Sequence, residues 1–210
     1  MYIPAAFREN DREKLLAVIE RYPLATLVTA GAAGIVASHL PMIYTPSADG
    51  AGVLRGHLAK ANPQWQGSAT HEALAIFTGP DHYISPSWYP SKQEHGRVVP
   101  TWNYAAVHVY GTLHVIEDRP WMLALVTALT ERHERQQGAG WKVADAPPDY
   151  IEGMLRAIVG VELRISRWEG KVKASQNRPE ADREGVVEAL EKFSSDAARE
   201  MAGMVLEELD

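Results

Sequence analysis

The segment GHLAKANPQW, residues 56–65, concentrates side chains that could hold an anion. His57, Lys60 and Asn62 supply hydrogen-bond donors around the start of a predicted short helix, whose free N–H groups also favour negative charge. Gly56 permits close backbone approach because it has no side chain. We interpret this segment as a phosphate-binding element. The structural alternative is that Lys60 is a solvated charge, Asn62 caps a turn and His57 ends a strand.

A second stretch, residues 169–178, is dense in basic, hydroxyl and amide side chains. These are Lys171, Lys173, Ser175, Gln176, Asn177 and Arg178. We predict a tail that closes over a phosphate or an anionic substrate, and Lys92 at the end of an earlier loop could join it. The alternative is a solvated basic loop that binds nothing.

Other chemistries find little support in the sequence. The chain has no cysteine, which removes disulfides, thiolate nucleophiles and cysteine-based zinc or iron–sulfur sites. No HxH or HExxH pattern occurs, and His108 and His114 lie too far apart along a predicted strand to chelate one metal. GxGxxG and P-loop patterns are also absent. We therefore expect no dedicated metal site and no binding through the familiar nucleotide cradles.

Composition is that of an ordinary globular chain. Its 210 residues, 46% of them apolar and 23% charged, fit one domain or one domain with a small appendage. The formal net charge of -6 would repel a nucleic-acid backbone unless the basic residues cluster on one face. The sequence shows no signal-peptide core and no stretch approaching the roughly 20 apolar residues of a membrane span. We expect a soluble, cytoplasmic protein that contacts no membrane.

Local patterns predict a helix followed by a hairpin near the amino terminus. Asn10 and Glu13 resemble a capping box for a first amphipathic helix. The runs LATLVT and IVASHLPMIY then flank a GAAG turn and are typical of paired strands. Pro41 lacks a backbone donor, so it indicates a free edge or a bulge in the second strand.

The remaining chain alternates strands with helices. The predicted strands are 53–57, 73–79, the start of 82–92, 98–116 with a bulge or break at Gly111, and 158–166. The predicted helices are a short one broken near Pro63, 119–137 between an Asp118 cap and a Gly138 stop, one after Pro148, and 179–210. Because most strands follow one another through short turns, the pattern favours an antiparallel barrel flanked by helices over a doubly wound parallel sheet.

Several phrases occur together in a fixed order, and together they resemble one family. They are MYIPAAF at the start, ASHLP (37–41), GHLAKANPQW (56–65), YISPSWY (83–89), VPTWNYAAVHVYG (99–111) and SQNR (175–178). The set resembles the PaiB-type family of FMN-binding negative transcriptional regulators. The resemblance implies a mainly β (α+β) fold, the split β-barrel of the pyridoxamine-phosphate-oxidase type, which forms a homodimer with FMN at the subunit interface. We expect this domain at 1–187 and a helical extension at 188–210.

Within this resemblance the phrases acquire roles in binding FMN. Strand backbone at ASHLP would meet the pyrimidine edge of the flavin with Ser38 or His39, although a satisfied, partly buried histidine is the alternative. Trp102 and Asn103 would contact the ring across the interface, although Trp102 and Tyr104 could equally be core. The predicted cofactor-binding residues are Ser38, His39, His57, Lys60, Asn62, Lys92, Trp102, Asn103, Gln176 and Asn177.

The resemblance implies regulation of transcription, whereas the residues show no helix-turn-helix pattern. We therefore predict that any regulation acts through the redox state of FMN, a protein partner or a small metabolite, without sequence-specific DNA binding. The alternative is an FMN-dependent oxidoreductase or a haem-handling enzyme. In that case Lys92, His57 or Arg97 could stabilise the reduced flavin, but the sequence identifies no general acid. A dimeric scaffold that has lost its ligand is a third, weaker interpretation.

Overall fold

Alternating apolar and polar residues form the strands of a mainly antiparallel sheet in the computed structural model, which describes residues 1–31, 34–47, 50–66 and 72–207. The strands are β1 (Arg8–Glu9), β2 (Leu24–Gly31), β3 (Gly34–Pro41), β4 (Ile43–Thr45), β5 (Val53–Ala59), β6 (Glu72–Ile84), β7 (Thr101–Ile116) and β8 (Ile158–Lys173). Their order is β3-β2-β6-β7-β8-β5-β4, and β1 pairs with β8. The β2–β3, β2–β6, β4–β5, β5–β8 and β1–β8 pairs are antiparallel, as predicted.

The predicted amino-terminal hairpin is confirmed as β2 and β3. Leu24 pairs with Pro41 and Gly31 with Gly34, while residues 32–33 of the expected turn lie outside the described part of the chain. Because β3 is the last strand in the sheet order, Pro41 sits on an edge strand, where its missing donor is tolerated.

The α-helices lie between or after these strands along the chain. They are α1 (Arg12–Arg21), α2 (Ser91–His95), α3 (Arg119–Gln136), α4 (Pro148–Arg156), α5 (Glu180–Leu190) and α6 (Asp196–Glu207). The Asp118 carboxylate accepts from the Trp121 N–H at 2.7 Å, which confirms the predicted cap of α3. Gly138, at φ 65°, ends the helix where expected. For α1 the cap is Asp11 rather than Asn10, because the Asp11 carboxylate accepts from the Glu13 N–H at 2.8 Å.

The described chain divides into two compact units. Unit 1 contains Met1–Arg21, Thr78–Val107 and the chain from Glu169 onward, and unit 2 contains Tyr22–Phe77 and His108–Trp168. In unit 1, α5 and α6 share an apolar cluster with the end of β6 and the end of β8. Its buried members include Ile84, Tyr89, Ala174, Val186, Leu190, Met201 and Val205. The expected boundary between 187 and 188 stays a prediction.

Unit 2 holds the β2–β3 hairpin, β4, β5, α3 and α4. Its fully buried side chains include Leu27, Met42, Leu54, Phe77, Leu113 and Leu163. β7 is one continuous strand through Gly111, where an added Cβ would lie 2.0 Å from the Arg164 carbonyl oxygen. The glycine therefore permits close contact between two backbones, which is the use of glycine that a strand pattern alone cannot distinguish from a bulge.

β8 is longer than the sequence predicts. The expected strand ends at Ser166, where the composition becomes basic, but β8 continues to Lys173. The reason is that β1 supplies a backbone partner: Arg8 pairs with Lys171 and Glu9 with Gly170. The predicted short helix near Pro63 is a 3-10 helix at Pro63–Trp65. Residues 208–210, the end of the predicted helix 179–210, lie outside the described residues.

Candidate functional site

Two predicted residues of unit 2 contact each other directly. The Asn62 amide donates from Nδ2 to Ser38 Oγ at 2.8 Å, which joins the loop after β5 to the middle of β3. Asn62 Oδ1 accepts from the Gln64 N–H at 3.0 Å and so caps the 3-10 helix Pro63–Trp65. The structural alternative for Asn62 is therefore observed, and the same contact fixes the Ser38 hydroxyl.

Gln64 is a buried residue that the sequence interpretation missed. Its side-chain Nε2 donates towards the carbonyl oxygens of Leu27 at 3.0 Å and Val36 at 3.2 Å, and towards Thr29 Oγ1 at 3.2 Å. These bonds tie the 3-10 helix to both strands of the β2–β3 hairpin. A glutamine directly after Asn-Pro was the only local signal, because its acceptors lie 28 to 37 residues away along the chain.

The two predicted histidines of unit 2 differ in environment. His39 is exposed on edge strand β3, with its Nδ1 3.0 Å from Thr26 Oγ1. His57 lies on β5 opposite Gly160 of β8, is half-buried, and its Nδ1 has no hydrogen-bond partner among the described residues. Burial lowers the pKa of His57 below 6.5, which favours the neutral imidazole with one donor and one acceptor nitrogen.

Lys60 lies at the surface immediately after β5. Its backbone N–H donates to the Ala157 carbonyl at 2.8 Å, and its ammonium is 3.8 Å from Glu117 Oε1. Both side chains are exposed, so this ion pair contributes little to stability. Gly56 serves packing, since an added Cβ would lie 2.9 Å from Leu40 Cδ1 and 3.0 Å from the Pro41 carbonyl oxygen.

In unit 1, neighbouring residues of β7 point to opposite faces, as the strand pattern predicts. Trp102 is 54% exposed and meets Tyr83 edge-to-face with ring centroids 6.1 Å apart. Asn103 is fully buried, and its Nδ2 donates to Ser175 Oγ at 2.9 Å. Asn103 Oδ1 has no partner among the described residues, so a buried acceptor remains available.

The turn after β8 carries the other predicted residues of this unit. Gln176 Oε1 accepts from the Ala174 N–H at 2.7 Å, and its Nε2 donates to the Val172 carbonyl at 2.8 Å. Ser175 adopts a left-handed φ of 62°, which turns the chain. Asn177 is exposed, whereas the Gln176 side chain is hydrogen-bonded to the backbone of nearby residues.

Lys92 is exposed on the short helix α2. The preceding residue, Ser91, anchors this helix to α5. The buried Asp182 carboxylate of α5 accepts from both the backbone N–H and the hydroxyl of Ser91, at 3.1 and 2.7 Å. A surface cleft of about 510 Å³ lies beside α2 and α5, and its lining includes Trp88, Gln93 and Lys192 but none of the predicted cofactor-binding residues. The cleft and the predicted site are therefore different surfaces.

The donor set fits a flavin nucleotide, which the structure does not contain. In unit 1 the buried Asn103 oxygen can accept from an N–H or O–H group, and exposed Trp102 offers an aromatic face. In unit 2 the free His57 Nδ1 and the exposed Lys60 ammonium suit a phosphate or a polar ring edge. No cluster of three or more potential metal ligands occurs in the described ranges. No helix among the residues described is both long and apolar enough to cross a membrane.

The solved structures most useful for comparison are flavin-associated proteins of low sequence identity. The FAD and heme binding protein of Mycobacterium smegmatis has a TM-score of 0.57 at 20% identity, covering 79% of this chain and 73% of its own. The flavocytochrome Anf3 of Azotobacter vinelandii has a TM-score of 0.54 at 14% identity, covering 80% of this chain and 69% of its own. These matches confirm the predicted fold class, a mainly β split barrel of the pyridoxamine-phosphate-oxidase type with flanking helices.

Sequence comparisons reach along nearly the whole chain. A family described as "Putative FMN-binding domain" matches residues 1–167. Protease synthase and sporulation protein PAI 2 of Bacillus subtilis is 32% identical over 210 residues, covering 100% of this chain and 98% of its own. An uncharacterized protein of Emericella nidulans is 34% identical over 243 residues, covering 99% and 97%. FMN is thereby confirmed as the predicted cofactor, and the chain belongs to the PaiB-type family of FMN-binding proteins.

Proposed function

We propose that this chain is an FMN-binding regulator that acts through the redox state of its flavin or through a partner. The observation that carries the proposal is the end-to-end similarity to the Bacillus subtilis protein, which is named for protease synthase and sporulation and not for a substrate. Bound FMN supplies electron and hydride transfer, so its oxidation state is a signal that such a protein can hold.

The proposed regulation needs no direct reading of DNA sequence. The chain carries 27 acidic against 21 basic side chains, so its overall field repels a phosphate backbone. A direct repressor presents a basic recognition element. The phrases that carry the PaiB-type resemblance do not include a helix-turn-helix pattern. We therefore assign regulation to a protein partner or to a small metabolite.

The proposed flavin contacts are assigned within each unit by itself. In unit 2 we assign His57, Lys60 and Asn62 to the phosphate, and Ser38 and His39 to the pyrimidine edge. These residues would bind and orient the cofactor through hydrogen bonds. The remaining assignments, all in unit 1, are Trp102 and Asn103 to the flavin ring, with Lys92, Gln176 and Asn177 as further polar contacts.

We also propose a homodimer. β3 is the terminal strand of the sheet order, and the hairpin that it forms exposes Leu24 and Ile35, at 63% and 79%. An exposed strand edge with apolar side chains is a surface that a second copy can cover. Light scattering at micromolar concentration should give the mass of two chains, and the mass of one chain would contradict the proposal.

The decisive experiment compares regulation with catalysis. A deletion strain is complemented with the wild type or with Asn103→Leu, which keeps a side chain of similar size but removes both the buried acceptor and the donor to Ser175. We expect altered transcripts to return to normal with the wild type and to remain altered with any variant that has lost FMN. A matched surface control is Asn10→Leu, at an exposed asparagine outside the predicted cofactor-binding residues, and FMN occupancy of each purified protein is read from its visible absorbance.

Two further measurements separate the alternatives. Gel-shift titration against the most affected promoters, with random competitor DNA, should show no nanomolar binding. Purified holoprotein mixed with NADH or NADPH should show no sustained turnover. Competitor-resistant DNA binding would replace the partner model with direct repression, and rapid turnover or a Soret band would favour the oxidoreductase or haem-handling alternative.

A further inference from the structure

Four basic side chains of unit 1 lie close together near the end of β8. Arg8 of β1 stands directly opposite Lys171 in the strand register, so two cations form a cross-strand pair. Lys173 follows on the same face of β8, and its charge interacts with those of Lys171 and Arg178. We call Arg8, Lys171, Lys173 and Arg178 the basic patch.

The partners of the patch are neutral groups. The Lys171 ammonium donates to the Tyr2 carbonyl at 3.3 Å and lies 5.0 Å from the centre of the Tyr104 ring. The Lys173 ammonium donates to the Thr101 hydroxyl and lies 5.8 Å from the centre of the Phe7 ring. Among the residues that the structure describes, no carboxylate forms an ion pair with a member of the patch.

Acidic residues close by in the sequence have other partners. Glu169 binds the terminal ammonium of Met1, and Glu9 lies 3.7 Å from the Lys14 ammonium. Asp182 is committed to Ser91. The patch therefore stays electrically unbalanced although carboxylates are available within the same unit.

The chain holds Arg178 in a defined position. The Arg178 N–H donates to the Ser175 carbonyl at 2.9 Å, and the Ser175 hydroxyl accepts from buried Asn103 at 2.9 Å. The Arg178 guanidinium lies 4.9 Å from the centre of the Tyr89 ring. A basic side chain on a turn fixed by a buried amide costs little entropy when it binds a ligand.

Like charges directly across a strand pair destabilise a sheet, and crowded cations repel each other more strongly as they lose solvent. Burial and then the charges of Lys171 and Arg178 lower the pKa of Lys173. This repulsion destabilises the folded protein when no ligand is bound, and a ligand of opposite charge would balance it.

We propose that the basic patch binds a phosphate group carried by an organic ligand. Arginine and lysine together offer a fork of N–H donors and compact positive charges, which match the tetrahedral oxygens of a phosphate. The rings of Tyr104 and Phe7 lie beside the two ammonium groups and border the site. The site stands on this geometry and does not depend on the regulatory proposal.

The test uses the full-length chain freed of FMN and titrated with pyrophosphate at constant ionic strength. Calorimetry should show binding to the wild type and at least tenfold weaker binding to Lys173→Met and to Lys171→Met. The matched control is Lys192→Met, an exposed lysine of the same unit outside the patch, which should bind as the wild type does. If one patch variant fails to fold, the other and the rise in wild-type Tm with pyrophosphate over chloride remain decisive. Equal binding by patch variants and control, or no binding by the wild type, would overturn the site.

A second titration identifies the source of the phosphate. FMN and riboflavin are compared by flavin fluorescence quenching with the wild type and Lys173→Met. If the variant weakens FMN alone, the patch holds the phosphate of FMN. If neither flavin is affected and pyrophosphate still binds the FMN-loaded protein, the patch holds a separate phosphorylated metabolite. Loss of both flavins to the same degree would contradict phosphate recognition at Lys173.

Discussion

Two lysine-bearing segments looked alike in the sequence and differ in the structure. In residues 56–65, Lys60 faces Glu117, and Asn62 and Gln64 bond to the protein itself. In residues 169–178 the lysines meet only neutral groups and other cations. The difference teaches that a polar sequence motif can stabilise the fold without binding a ligand. Charge that no other residue balances is the stronger sign of a ligand site.

The largest expected effect tests the folding role of the first segment. Gln64→Ala leaves the Leu27 and Val36 carbonyls without this donor in a buried place, where each unmet group costs about 1–3 kcal/mol. We expect the free energy of unfolding to fall by about 3 kcal/mol, measured by urea denaturation. Gln176→Ala, the matching change in the second segment, should cost about 1 kcal/mol because that side chain is less buried. Equal losses would remove the contrast.

The second prediction asks whether Lys60 also binds a phosphate. Lys60→Ala should weaken FMN roughly ten- to a hundredfold and riboflavin far less, since a charged hydrogen bond contributes about 1.5–3 kcal/mol. Glu117→Gln is the informative companion, because it removes the competing carboxylate and should tighten FMN slightly. Flavin fluorescence quenching measures both. If Lys60→Ala weakens the two flavins equally, Lys60 does not address the phosphate.

The third prediction concerns stability in the absence of anions. The lowered pKa of Lys173 means that the folded protein disfavours its charged form, so a stability penalty is present below the folded pKa and fades as the pH rises towards 10.5. Lys173→Met should therefore raise Tm at neutral pH in phosphate-free buffer, and the gain should shrink at high pH. Lys60→Met, which removes a paired surface charge, should leave Tm unchanged. A lower Tm for Lys173→Met would show that its bond to Thr101 outweighs the repulsion.

Local chemistry was predictable from the sequence, and contacts over long separations were not. Asp118 and Gly138 mark the two ends of α3 as predicted, because helix caps and left-handed glycines act on residues only a few positions away. The predicted end of β8 was wrong because its partner strand, β1, comes from the opposite end of the chain. The acceptors of Gln64 and the cross-strand partner of Lys171, which is Arg8, likewise lie far along the chain. Which predicted residues touch FMN stays a prediction for the same reason.

The smallest effect concerns His57, which links the first segment to pH. Burial lowers its pKa below 6.5, so as the pH falls through 6.5 the unfolded chain binds a proton that the folded protein refuses. Stability should therefore decline from about pH 6.5 to pH 5, and His57→Gln should lessen the decline, as measured by urea denaturation at both pH values. His39→Gln, at an exposed site, should keep the wild-type decline. Bound phosphate near His57 would favour its charged form, so FMN should reduce the wild-type decline while riboflavin should not. If FMN and riboflavin act alike, His57 lies away from the phosphate, and the anion-binding role passes to the second segment.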